Sequence, residues 1–491
     1  MNTTMKNIKI ILIAVLGIFA ISSCEDFLDK KPTNAADSAE AIKSVDDAEL
    51  FMKAISSKML STSYLGQQMH LYADAKGGDL TIQSAGRGYD ALYSFNHTVS
   101  SGTYSSFWTQ GFNIILQLNT LLTNIETLEA AGTTEDFDNV KGQVLTLRGM
   151  LYFDLVRLYG EPYNEDKSAW GVPNITTVLS ADARELRATV QENYTQILTD
   201  LKAGEPLLTK NVTHGFVNYW ANKALQARVY LHMDDFDNAL AAAKDVIENG
   251  PYDLYENDEW VASWATKTGK ESIFQLTVLA TEGGGSTALG GIYSRRAHYS
   301  SSIGGYYMAS EYFLERLGED PDDVRWGIMT HDETSEDRLG CCYKYLGSVD
   351  MSGDGEADAA ACNVKVIRLS EMYLIASEAA LRKSSADEAA AADYLNAIRK
   401  RSPNLAPATE ATITLDMILD EKSKEFLCEG QRFWDLIRCN KTIEFNDDWQ
   451  GVPIQRRGKT IDRASHLTIL PIFQSEINAN PDIAAQQNPG Y

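Results

Sequence analysis

The chain is expected to fold as an all-α protein in which tetratricopeptide-like helical hairpins form a curved scaffold with long irregular loops and few short strands. Three observations point there. Apolar residues recur with helical spacing in several long segments, and small residues stand where paired helices would touch. Strand-like runs are few and short, Ser272 to Val278 being the clearest.

Between Val140 and Tyr159, the residues Val144, Leu147, Leu151, Leu155 and Leu158 fall on one helix face. A second helix is expected from about Val366 to Leu381, with Leu369, Met372, Tyr373, Ala376 and Ala380 on its face. From Phe216 to Tyr255 the pattern becomes helix–turn–helix. Ala227 and Tyr230 lie one turn apart, Asp234-Asp235 supplies the turn, Ala239 follows on the second helix and Pro251 closes the unit. These are tetratricopeptide positions, although two of the repeat's usual large residues are absent. Small residues let the two helices approach, and the tyrosine fills the gap above them. Weaker echoes at Gly149/Tyr152 and from Ala376 to Pro403 extend the pattern to a stack. Units are expected near residues 103–160, 187–250 and 365–403, within one domain over residues 45–491. Residues 61–106 and 281–363 read as variable loops rich in Gly, Ser and Tyr, and loops of such length commonly carry function.

The N-terminus precedes this body. Lys6 and Lys9, an apolar run from Ile10 to Ile21 and then Ser22-Ser23 make residues 1–23 a signal peptide. The run is shorter than the roughly 20 residues of a spanning helix. Ile21-Ser22-Ser23-Cys24 resembles a bacterial lipobox, which implies lipidation of Cys24 and a tether over residues 24–44. Two or three acyl chains on such a cysteine would anchor the protein to a membrane. Removing the signal takes away two lysines and no acid, so the formal charge goes from −24 to −26. A chain this acidic repels nucleic acid and anionic lipid surfaces, so no nucleic-acid partner is expected.

The remaining cysteines, Cys341, Cys342, Cys362, Cys428 and Cys439, are odd in number and clustered late, unlike a disulfide framework. A loop bridge from Cys341 or Cys342 to Cys362 stays open outside the cytosol. No Cys or His spacing matches zinc, the seven His are scattered, and no cofactor is expected. Asp350, Ser352, Asp354 and Asp358 stand at EF-hand-like positions, but Ala361 replaces the closing glutamate. That stretch reads as a solvated acidic loop, with calcium as the weaker alternative. Nucleophile elbow, P-loop and metalloprotease helix are all missing. Glu425 and Glu429 lie one turn apart on one helix, whereas glycosidase carboxylates face each other across a cleft. No catalytic residues are assigned.

Several blocks together resemble the SusD/RagB family of nutrient-binding lipoproteins. They are Arg148-Gly149-Met150-Leu151-Tyr152-Phe153-Asp154-Leu155, Ala227-Arg228-Val229-Tyr230-Leu231, Leu369 to Ala379, and Leu395-Asn396-Ala397-Ile398-Arg399. The most distinctive runs from Glu421 to Arg438 and includes Glu425, Glu429-Gly430-Gln431-Arg432 and Trp434-Asp435. Leu470-Pro471-Ile472 and the ending Gln487-Asn488-Pro489-Gly490-Tyr491 complete the set, with Phe473, Cys428 and Cys439 as small departures. The blocks themselves read as structural: Gly430 as a left-handed turn residue, and Arg432, Asp435 and Glu425 as ion pairs. The resemblance implies a surface-exposed, outer-membrane lipoprotein that captures oligosaccharide for a SusC-like TonB-dependent transporter. Peptide capture within the same family, and a periplasm-facing tetratricopeptide scaffold for another protein, are the alternatives.

Ligand residues are sought in the loops, because sugar rings offer CH faces to aromatics and hydroxyls to polar groups. Residues 61–104 supply Tyr64, Tyr72, Asp79, Arg87, Tyr89 and Tyr93. Residues 281–307 supply Tyr293, Arg295, Arg296, His298, Tyr299, Tyr306 and Tyr307. Both stretches match by location the loops that build ligand sites in the family. The alternative is that many of these tyrosines pack the loops. Trp108, Trp260 and Trp264 read as packing, and Trp170 is left open.

Overall fold

The computed structural model describes residues 42–82, 88–100, 102–279, 288–293, 305–332, 335–345, 347, 362–446 and 457–491. The expected signal, Cys24 and the tether to residue 41 lie outside the described residues, as do Asp350, Ser352, Asp354 and Asp358. Within them the fold is all-α with few short strands, and no helix is long and apolar enough to cross a membrane.

The body begins earlier than its polar lead-in suggests. Ile42 is already in the core, and Ser44 caps α1 (Val45–Met59) in a reciprocal box with Asp47. Next comes α2 (Gln68–Lys76), in which every residue from Met69 onward is buried. β1 (Leu80–Ile82) and α3 (Asp90–Tyr93) follow. Residues 61–82 and 88–100 are therefore largely packed interior, a correction to their reading as an irregular loop. Packed on every side, α2 has no polar face and so no helical period to detect.

The hairpins come next. α4 (Gly102–Ala130) packs on α5 (Asp138–Tyr159), and α5 packs on α6 (Val190–Gly204), which Thr189 caps in a box with Glu192. Gly149 explains the close approach of α5 and α6: a Cβ there would lie 3.2 Å from the Leu201 side chain and 3.3 Å from the Ile197 carbonyl. Across the same contact Arg148 makes a two-pronged pair with Asp200, at 2.7 and 2.8 Å. α7 (Tyr219–His232) and α8 (Phe236–Asn249) form the clearest hairpin. Asp234 turns it with φ +57°, Asp235 caps the second helix, and Ala227 and Ala239 are fully buried.

After α9 (Asn257–Ser263), β2 (Ser272–Leu276) and α10 (Leu289–Tyr293) come β3 (Tyr307–Ala309), α11 (Glu311–Leu317), β4 (Met329–Asp332) and β5 (Ser335–Cys342). β6 (Val364–Arg368) then leads into the last helices: α12 (Leu369–Arg382), α13 (Glu388–Arg399), α14 (Leu415–Glu425) and α15 (Arg432–Arg438). The helix expected from Val366 thus starts at Leu369. Val364 to Arg368 instead pair antiparallel with β2, since alternate β-branched residues suit a pleated partner. β1 with β3 and β4 with β5 make two more two-stranded ladders. One hydrophobic core runs through most of the chain, with a smaller one among α12, α13 and α14. Trp108, Trp260 and Trp264 are core residues, whereas Trp170 is 42% exposed.

Candidate functional site

The β1–β3 ladder brings the two candidate stretches together. Ile82 stands opposite Tyr307 in register, so the chain leaving β1 and the chain entering β3 emerge side by side. At that edge the Tyr89 and Tyr306 rings meet, with centroids 4.6 Å apart and planes 40° from parallel. Both remain partly exposed. Their backbones are tethered: Tyr307 Oη donates to the Tyr89 carbonyl at 2.7 Å, and Tyr306 N–H to the Ile292 carbonyl at 2.7 Å. Gln67 Nε2 donates to Tyr89 Oη at 3.2 Å, a polar contact that nothing in the sequence pattern marks. Burial raises the Tyr89 phenol pKa, so the ring stays neutral. Such a pair offers a slightly splayed aromatic face with a hydroxyl at its rim.

The other described candidates lie beneath this edge. Tyr93, Tyr293 and Tyr307 are fully buried. Tyr93 Oη donates to the Asn446 carbonyl, and its ring packs against Tyr307 and Phe445. Tyr293 Oη donates to Asp74 at 2.7 Å, and Gly430 N–H donates to the other oxygen of that carboxylate at 2.9 Å. Burial pushes Asp74 up to about 8 against those hydrogen bonds. Tyr64 donates to Asp154 at 2.5 Å, and Tyr72 packs against Phe107, Phe433 and Trp434. Asp79 accepts from Ser423 at 2.6 Å and from Arg316 at 3.0 Å, with Arg432 beside it. These six anchor the loops. Arg87, Arg295, Arg296, His298 and Tyr299 lie outside the described residues, although Arg87 stands two residues before Tyr89 in the chain.

The Glu421 to Arg438 block lies in the interior. Glu425 is fully buried, 3.1 Å from Arg368, 3.0 Å from Arg401 and 3.6 Å from Arg325. Glu429 takes a two-pronged pair from Arg368 and an ammonium from Lys344 at 2.6 Å. Burial raises both carboxyl pKa values, but the cations outweigh it and hold both below the usual range. Neither glutamate has the raised pKa of a general acid. Gly430 adopts φ +72°, and a Cβ there would lie 2.7 Å from His70 Cα, so it serves a close chain crossing as well as a turn. An interior cavity nearby is lined by Asp154, Arg157, Arg228, Glu371, Gln431 and Trp434. Its charges pair with one another, Arg228 with Glu371 at 2.6 Å and Arg157 with Asp154, which suits retained water better than a charged ligand.

Cys342 and Cys362 are separate thiols in this structure, and the side chain of Cys341, the other partner considered, lies outside what the structure describes. Among the described residues no three His, Cys, Asp or Glu side chains gather as a metal site requires.

Stacked helical hairpins that carry a partly exposed aromatic pair at the edge of the β1–β3 ladder define a tetratricopeptide-like scaffold. Known proteins sharpen that class. Residues 26–231 match a family model described as starch-binding associating with outer membrane, and residues 326–491 match the SusD family model. The chain is 31% identical to a SusD superfamily protein of Bacteroides thetaiotaomicron, whose crystal structure aligns with a TM-score of 0.82 over 91% of this chain and 100% of that one. SusD-like protein P38 of Formosa agariphila is 24% identical over 99% of both chains. A laminarin binding SusD-like protein, 23% identical, shares the fold at a TM-score of 0.72 over 92% of this chain and 100% of its own. The chain belongs to the SusD/RagB family. Carbohydrate binding and outer-membrane association characterise that family.

Proposed function

We propose that this protein captures an oligosaccharide at the cell surface, anchored through lipidated Cys24, and passes it to a SusC-like TonB-dependent transporter. The observation that carries the reading is the Tyr89–Tyr306 pair. Of the described candidates, these two are partly exposed, and each stands two residues along the chain from one of the stretches 83–87 and 294–304. A sugar ring laid on the pair buries CH groups against π faces, and Tyr89 Oη has a proton to donate to a sugar hydroxyl. Arg87, Arg296, His298 and Tyr299 supply the further polar and aromatic contacts of the site. Binding is non-covalent, and no bond is made or broken in the ligand.

Calorimetric titration of purified protein against a panel of glycans tests this. Wild type is expected to bind one class, and Tyr89→Ala and Tyr306→Ala each to weaken it at least about tenfold, or about 1.4 kcal/mol. Unchanged affinity in both variants, or binding of peptides and of no glycan, overturns the assignment. Protease shaving of intact cells tests the location, since resistance of the protein would contradict surface exposure.

A further inference from the structure

Two buried thiols away from the aromatic pair face one another. Cys342 ends β5, and Cys428 sits in the turn between α14 and α15 with φ +64°. Both are buried, and each thiol acts on the other's titration. Neighbouring contacts lay the two segments across each other. Lys344 Nζ donates to the Glu425 carbonyl at 2.7 Å and to the Glu429 carboxylate at 2.6 Å, and Tyr345 Oη donates to the Cys428 carbonyl at 3.2 Å. These contacts hold the chain just after Cys342 against the turn that carries Cys428. Burial raises both thiols, but at Cys342 the Cys428 thiol and the Lys344 ammonium outweigh it and lower the pKa. Cys428 stays well above its usual value, again chiefly through burial. Cys342 is thus the better nucleophile of the pair.

We propose that Cys342 and Cys428 form a disulfide when the chain meets an oxidising compartment, stapling the β5 segment to the α14–α15 turn. The oxidant is a disulfide of the thiol-exchange class, either oxidised glutathione or an oxidised dithiol protein. Cys342 loses its proton and attacks that disulfide, forming a mixed disulfide and releasing one thiolate. Cys428 loses its proton and attacks the Cys342 sulfur, releasing the second. The two cysteines give up two electrons to the oxidant's sulfurs, and their two protons finish on the released thiols. Exchange takes place while the segment is open, because both sulfurs are shielded in the closed fold. The staple closes a long loop that includes the acidic residues 350–361, and it restrains the unfolded chain.

The natural setting rests on the export reading, so the test begins with purified full-length protein. The chain is equilibrated with oxidised glutathione, denatured without reductant, alkylated and digested. The expected product is a peptide pair joined through Cys342 and Cys428, lighter by two hydrogens than the separate thiol peptides. The thermal midpoint of oxidised wild type should fall on adding reductant, whereas that of Cys342→Ser should not respond. Complete alkylation of both cysteines, or a link from Cys342 to Cys362 or from Cys428 to Cys439, overturns the pairing. The same digest of protein from cell envelopes tests the compartment: free thiols there, with the link formed in vitro, would overturn oxidation in the cell.

Discussion

Replacing Glu425 by Gln probes the interior that holds this fold together. The carboxylate is fully buried, with Arg368 and Arg401 about its two oxygens at 3.1 and 3.0 Å and Arg325 at 3.6 Å. Burial alone would raise its pKa, yet Arg401, Arg368 and Arg325 together bring it down to about 2. A carboxyl that falls from 4.5 unfolded to about 2 folded contributes about 3 kcal/mol at neutral pH. The sign follows from the depressed folded value. The contribution is fully present above about pH 4.5 and is lost as pH falls toward 2. A second route gives the same size, since removing one partner of a buried pair costs roughly 3–5 kcal/mol. Glutamine keeps the shape but not the charge. Glu271 and Glu429 still serve Arg368, and Asp323 and Glu421 still serve Arg325, so the loss should sit at the low end of that range. Equilibrium urea unfolding at pH 7 should therefore show Glu425→Gln destabilised by about 3 kcal/mol, with the gap to wild type narrowing in acid. Glycan affinity of the folded variant should not change. A gap below about 1 kcal/mol at pH 7, or one that does not narrow in acid, would refute the ion-pair reasoning.

Two further perturbations separate buried charges that the fold tolerates from those it uses. Asp74 has a folded pKa raised to about 8, so its contribution is full below 3.8 and is lost as pH rises through 8; Asp74→Asn should gain on wild type by up to about 1.4 kcal/mol per pH unit across that window, and urea midpoints differing equally at pH 5 and 8 would sink the idea. Lys76 is fully buried with no hydrogen-bond acceptor for its amine among the described residues, and the amine lies 4.1 Å from the Phe95 ring centre and 4.3 Å from that of Tyr72; burial pushes its pKa well down, so Lys76→Met should raise stability at pH 7 by about 1 kcal/mol or more, and a lower thermal midpoint would show that the aromatic cage outweighs desolvation.

What the amino-acid order discloses here depends on how a side chain earns its place. Helix pairing is legible because it demands small residues at fixed spacing, and Ala227, Ala239 and Gly149 stand where α7, α8, α5 and α6 touch. The interior charges of the Glu421 to Arg438 block are legible for a similar reason, since charged residues amid apolar neighbours need partners. α2 escapes notice because it is buried on every side, and β6 because its five residues run directly into a helix. The tyrosines are the hardest case. Tyr72 and Tyr89 come from the same Gly- and Tyr-rich stretch, yet one is core and the other is partly exposed. Phe107, Phe433 and Trp434, all distant in sequence, close over Tyr72 and make the difference. No local pattern carries that information.

The placement of the buried charges bears on how such a scaffold presents a changeable face. Apolar side chains of similar volume could fill these positions at little or no cost in stability. What they could not do is fix direction. Arg368 stands at the junction of β6 and α12 and bonds Glu271 before β2, Glu425 at the end of α14 and Glu429 in the turn beyond. Three stretches distant in sequence, around 271, 368 and 425–429, are thereby set at one guanidinium, whose planar fork accepts few orientations. Asp74 does the same between α10 and Gly430, and Asp79 between α11, α14 and α15. Each of these groups lies within the described framework. Paired charges at Arg368 and Asp79, and a hydrogen-bonded carboxyl at Asp74, thus fix the elements that they join. The Tyr89–Tyr306 pair lies at the edge of that fixed framework, tied to it through the Tyr307 hydroxyl and the Tyr306 amide.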